Sequence, residues 1–124
     1  MDITPEIPAG RKYIDHYGLG GFRVAGDRYE GSIIVTPEHV WMWPVSIFTE
    51  LTAESVAQVL AVEPSVELLL IGCGDRVARI PKDVRDSLRA GSIIVDCMET
   101  GAACRTYNVL LAEERRVAVA LISI

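Results

Sequence analysis

A chain of 124 residues with a net charge of −5 and a pI near 5.0 has the length of one domain. Its acidity argues against a nucleic-acid partner, which would call for a basic face. Half of its residues are hydrophobic, enough for a sizeable core and too many for a disordered chain. The three cysteines, Cys73, Cys97 and Cys104, form no Cys-x-x-Cys motif. An odd count in a chain with an adequate core predicts three reduced thiols and a reducing compartment.

Residues 1–12 read as an extended lead-in, rich in proline at its start. Met1–Pro8 lacks the build of a secretory signal or a transit peptide. Tyr13–Tyr17 predicts a short strand, Gly18-Leu19-Gly20-Gly21 a turn, Phe22–Ala25 the returning strand and Gly26-Asp27 a second turn. Tyr29–Thr36 reads as one strand stopped by Pro37, and Val40–Trp43 as another stopped by Pro44. This punctuation predicts an antiparallel meander.

The pattern then changes to alternating helices and strands. Thr52 is a candidate N-cap for a helix carrying Val56, Val59 and Leu60 and ending at Glu63-Pro64. Val66–Ile71 is a nearly continuous apolar strand. Pro81 opens a second helix with Ile80, Val84, Ser87 and Leu88 on one face and Gly91 at C′. Ile93–Met98 reads as a buried strand. A third helix runs from about Gly101 to Glu114, with Ala103, Tyr107, Leu110 and Leu111 inward. Val117–Ile122 closes the chain as a strand. The expected fold is a single α/β domain: N-terminal antiparallel strands joined to a βαβαβ unit with a mixed sheet. The final apolar run, Val117–Ile124, is too short to span a bilayer. A soluble cytoplasmic chain, at most peripherally associated with a membrane, is expected.

In open α/β sheets, ligands bind beyond the carboxyl ends of the parallel strands. Two such ends carry Gly72-Cys73-Gly74 and Glu99-Thr100-Gly101. Thr100 suits an N-cap, and free amides at a helix start favour an anion. Cys104 and Asn108 share a helix face, and Arg105 beside them could clamp a carboxylate or phosphate. Gly72, Cys73, Gly74, Thr100, Cys104, Arg105 and Asn108 are therefore the candidate ligand site. Each also has a structural reading. Thr100 would then be an ordinary cap, the glycines would serve only to turn the chain, and Arg105 would be a solvated charge or a salt-bridge partner. Cys97 reads as a small core residue, and Cys73, between glycines, as the most exposed thiol.

Other motifs exclude more than they propose. No dinucleotide or phosphate-loop fingerprint is present, His16 and His39 lack metal-ligand spacing, and Ser32 and Ser46 sit in no nucleophile elbow. No metal, cofactor or catalytic residue is expected. Asp75, Arg76 and Arg79 read as a solvated loop. Trp41 and Trp43, one residue apart on a strand, point to one face. If that face is core they are packing residues. If it is exposed they are anchors for a protein partner.

Several segments resemble one family. They are Ile14–Phe22 with its Gly-Gly-Phe, Tyr29-Glu30-Gly31-Ser32-Ile33, the tryptophan patch before Pro44, Leu69-Leu70-Ile71-Gly72-Cys73-Gly74, Pro81, and Thr100-Gly101-Ala102-Ala103-Cys104-Arg105-Thr106-Tyr107-Asn108. Together they resemble mitochondrial complex I assembly factor 3 and its bacterial and archaeal homologues, a domain of unknown function. The resemblance covers about Ile14–Ile122, and the Ala-Cys-Arg-Thr-Tyr-Asn run is its most specific part. It implies a compact α/β domain with a mixed sheet and a non-enzymatic, chaperone-like role. In the mitochondrial relatives that role is assembly of the membrane-associated arm of respiratory complex I with a partner assembly factor. It brings no catalytic residues. The absence of a transit peptide fits a bacterial form. The expected function is an assembly or interaction protein, acting on respiratory-complex subunits or another assembly factor. The rival is a small-molecule or anion-binding protein, or an enzyme, using the Gly72–Gly74 and Thr100–Asn108 edge.

Overall fold

The computed structural model describes residues 9–124. The predicted lead-in lies mostly outside the described residues. Its last two residues are anchored: the Lys12 amide donates to Pro37 O at 2.9 Å and Arg11 pairs with Glu38 at 2.7 Å.

Three strands, β1 (Ile14–Gly18), β2 (Gly21–Val24) and β3 (Asp27–Glu30), form an antiparallel sheet in chain order. Ala25 and Gly26 turn the second hairpin at φ +47° and +90°, which glycine reaches without steric cost. The predicted Tyr29–Thr36 strand is two strands. Gly31, at φ +82°, breaks it. The second part, β4 (Ile33–Val35), enters a different sheet beside β5 (Val40–Met42).

The predicted first helix is a 3-10 helix over Glu54–Ala61. Thr52 is not its N-cap, a position held by Ala53, but lies one residue earlier, where its Oγ1 accepts from the Ser55 amide at 3.1 Å and Ser55 Oγ accepts from the Thr52 amide at 3.0 Å. The remaining elements are β6 (Leu68–Gly72), α1 (Lys82–Ala90), β7 (Ile94–Met98), α2 (Thr100–Ala112) and β8 (Val117–Leu121). The left-handed residue after α1 is Ser92 (φ +63°), whereas Gly91 stays at φ −92°. The C′ role predicted for Gly91 therefore falls one residue later.

The second sheet has the order β5-β4-β8-β6-β7. The pairs β6–β7 and β6–β8 are parallel, while β4–β8 and β4–β5 are antiparallel. The fold is thus a single α/β domain with a mixed sheet, as the pattern implies. Two cores flank this sheet. On one face Val84 and Leu88 of α1 pack with Leu69, Ile71, Ala118 and Ala120. On the other Ala103, Tyr107 and Leu111 of α2 pack with Leu70, Val119 and Leu121, together with Ile14 and Phe22 of the first sheet.

One prediction about the sheet is corrected. Residues of β7 are not buried on both sides, because β7 is the sheet's outer strand and Ile94 is 72% exposed. Its apolar run resembles that of a central strand, and only the strand order separates the two cases.

Candidate functional site

The connection after β6 leads to α1 on one face, and the connection after β7 leads to α2 on the other. The carboxyl ends of β6 and β7 therefore form the switch point at which doubly wound sheets open a crevice. The predicted site residues lie here and along α2. Their side chains fill this position.

Thr100 is not the cap. Glu99 occupies that position and Thr100 is the first helical residue. Its fully buried hydroxyl donates to Ile122 O at 2.7 Å and accepts from the Gly74 amide at 3.0 Å. The Thr100 amide donates to Gly74 O at 2.9 Å. One side chain thus ties the ends of β6, α2 and β8 together. Gly72 is held to glycine by close packing: a Cβ there would stand 2.9 Å from Leu121 Cδ2 and 3.0 Å from Thr100 Cα. Gly74 adopts φ +95° where the chain leaves the sheet.

The cysteine expectation is overturned, and with it the argument from free thiols for a reducing compartment. Cys73 and Cys97 form a disulfide, and only Cys104 is a free thiol. The reason is register. Cys97 lies opposite Ile71 on the adjacent parallel strand, and Cys73 follows two residues later, which brings the two Cα atoms to 6.5 Å, within bridging range. A count of three does not reveal a pair that only parallel pairing creates. Cys73 is also buried rather than the exposed thiol predicted.

Cys104 and Asn108 do share a face of α2, and both are fully buried. Burial pushes the Cys104 thiol up to about 12, with the Arg105 charge opposing, so the protonated form persists at neutral pH. Asn108 gives both ends of its amide to Ile14: Nδ2 donates to Ile14 O at 2.7 Å and Oδ1 accepts from Ile14 N at 2.9 Å. Arg105 points away from both. It is exposed and donates to the Tyr17 hydroxyl at 2.8 Å. Tyr17, 88 residues distant, had no local sequence signal for this role. Gly101 is matched to the same tyrosine, since a Cβ there would stand 2.8 Å from its hydroxyl oxygen.

An open cleft of about 530 Å³ lies beside the disulfide, lined by Ile47, Phe48, Cys73, Gly74, Asp75 and Ile124 among others. Of the seven predicted site residues, Cys73 and Gly74 reach it. Among the described residues no group of three His, Cys, Asp or Glu side chains could hold a metal ion. Among the described residues no helix is long and apolar enough to cross a membrane.

The two tryptophans pack on the same core at different depths. Trp43 is in the core, 4% exposed, and its indole N–H donates to Ser55 O at 2.7 Å. Trp41 is half-buried, 5.4 Å from the His39 ring, and lines a second open cleft of about 440 Å³ with Gln58, Ala61, Val62 and Glu63.

Comparison with known proteins extends this description. Residues 14–122 match a family described as "Protein of unknown function (DUF498/DUF598)". The human protein named NADH dehydrogenase [ubiquinone] 1 alpha subcomplex assembly factor 3 is 34% identical over 122 residues, which cover 98% of this chain and 66% of the human protein. Against the Xenopus tropicalis counterpart the chain spans 60% of the relative's length. An uncharacterised protein of Rhodobacter capsulatus is 39% identical over 122 residues, 97% of this chain and 93% of its own length. Among solved structures, one described as an outer membrane protein from Bartonella henselae superposes with a TM-score of 0.82 at 42% identity, covering 95% of this chain and 98% of that one. With the family pattern spanning residues 14–122, and a relative covered almost end to end at 39% identity, the chain belongs to the DUF498/DUF598 family.

Proposed function

We propose that this chain is a non-enzymatic assembly factor that helps build respiratory complex I by contacting one of its subunits or a second assembly factor. The observation that carries the reading is the 34% identity across 98% of the chain to a human protein named as a complex I assembly factor. The switch point supports it. Thr100 and Asn108 spend their polar atoms within the fold and Cys104 is fully buried, which favours a surface that meets proteins over a crevice that holds a small molecule. Trp41 is the proposed contact residue, because a half-buried indole beside an open cleft resembles the anchors that dominate protein interfaces.

Deleting the chain from its own cell tests the reading. Assembled complex I on native gels should fall while transcripts of its subunits stay constant. Trp41→Ala should restore less complex I than the unaltered chain at equal protein level. Normal complex I abundance in the deletion strain overturns the proposal.

A further inference from the structure

We propose that the outer edge of β7 accepts an extended acidic segment of a partner polypeptide as an added strand, with Arg85 and Arg89 of α1 as its charge clamp. This rests on the geometry and charge of the edge and not on the assembly reading above.

The edge is open over a short span. The Ile94 amide donates inward to Glu67 O at 3.0 Å, so strand alternation turns the Val95 N–H and C=O outward. At the near end the Ile93 amide is taken by Leu88 O at 2.9 Å. At the far end the Cys97 amide, also outward, is taken by the carboxylate of Asp96 at 2.9 Å. Pairing is therefore stopped at Cys97 and left available around Val95. Edge strands of this kind are templates for strand addition.

The flank of the same span is cationic. Arg85, Arg89, Ser92, Ile93, Ile94 and Val95 line one groove of about 290 Å³. Neither arginine makes an ion pair or side-chain hydrogen bond among the described residues. The neighbouring carboxylate, Asp86, is hydrogen-bonded to Lys82 at 2.7 Å and feels the charges of Arg89 and Arg85 only after that of Lys82. On a chain of net charge −5, this groove attracts negative charge where most of the surface repels it.

Spacing specifies the ligand. Residues four apart on a helix are separated by about 6 Å along its axis, and alternate residues of a strand by about 7 Å. Two carboxylates at alternate positions of an added strand thus meet Arg85 and Arg89 together. Val95 packs on the α1 face, so Ile94 points to the other, where it is 72% exposed. The side chain between the two carboxylates falls on that face and should be apolar. The pattern recognised is acidic-apolar-acidic. A second copy of this chain is the poorer occupant, since a symmetric β7–β7 pairing brings two arginine pairs together.

The test is fluorescence anisotropy with a labelled peptide carrying Glu-Val-Glu between threonines. Controls carry Gln-Val-Gln or the reordered Val-Glu-Glu. The Glu-Val-Glu peptide should bind at least about tenfold more tightly than either control, a difference of about 1.4 kcal/mol, and binding should weaken with added salt. The double variant Arg85→Glu/Arg89→Glu should lose the preference while keeping its melting temperature. Hydrogen exchange at the Val95 amide should slow when the peptide is bound, a readout that needs no edge variant to fold. Equal binding of the three peptides, no binding, unchanged Val95 exchange, or a β7-mediated dimer in sedimentation would each overturn the proposal. None of these outcomes bears on the complex I phenotype of the deletion strain.

Discussion

The amide of Asn108 in α2 replaces a neighbouring strand for Ile14 in β1, accepting from its N–H at 2.9 Å and donating to its C=O at 2.7 Å across 94 residues of sequence. The first sheet is joined here to the helix that covers one face of the second. Both partners are fully buried, so removing the amide strands two backbone groups without water. Each such group costs about 1–3 kcal/mol. Asn108→Leu should therefore destabilise the protein by about 2–6 kcal/mol, and Asn108→Asp should fail to replace the donated bond. Urea unfolding checks this. A loss below about 1 kcal/mol would show that the pairing does not hold the first sheet to α2.

The same residue shows what was legible in the sequence. Apolar runs broken by glycine and proline gave β1, β2, β6, β8 and both α-helices nearly in place, because period and punctuation are local properties. Gly72, Cys73, Gly74 and Thr100 fall at the ends of β6 and β7 for the same reason. Its internal economy was not legible. That Asn108 meets Ile14, that Arg105 meets Tyr17, that Cys73 meets Cys97 and that Thr100 bridges Gly74 and Ile122 all depend on strand order. The break at Gly31 and the edge position of β7 are likewise set by which strand lies next to which.

Gly72 provides a local test of how tightly the switch point is packed. An added methyl would sit 2.9 Å from Leu121 Cδ2 and about as close to the Thr100 backbone, which cannot yield. Overpacking of this kind costs about 1–3 kcal/mol. Gly72→Ala should lower the melting temperature without any ligand present. An unchanged melting temperature would mean that room exists there for a bound group.

The disulfide gives a labelling pattern. The folded, oxidised protein should take up no alkylating reagent quickly, since Cys104 is buried with its thiol held protonated and the other two cysteines are bonded. After reduction, Cys73 and Cys97 should label and Cys104 should remain slow. The bond spans 24 residues, and a loop of that size stabilises by about 3 kcal/mol in the chain-entropy treatment. Cys97→Ser should reduce stability by an amount of that order. Rapid labelling of Cys73 without reductant would show that the bond is absent.

Alkaline pH should unfold the protein through Cys104 and Tyr107. Burial raises both groups above their ordinary values of 9.0 and 10.0, Cys104 to about 12 and Tyr107 further still. Tyr107 also donates to Lys12 O at 2.8 Å, a bond that its ionised form cannot make. The folded state therefore holds protons that the unfolded chain releases. Stability from each group is fully present below the unfolded pKa and is lost as pH rises from there towards the folded value. In that window each group lowers stability by about 1.4 kcal/mol per pH unit. Chemical denaturation at stepped pH should show the decline starting near pH 9 for Cys104 and a unit higher for Tyr107. Cys104→Ala should remove the first part of the slope while leaving tyrosinate absorbance cooperative with unfolding. A tyrosinate signal for Tyr107 that develops before unfolding, or an alkaline slope unchanged in Cys104→Ala, would mean that these groups reach solvent in the folded protein.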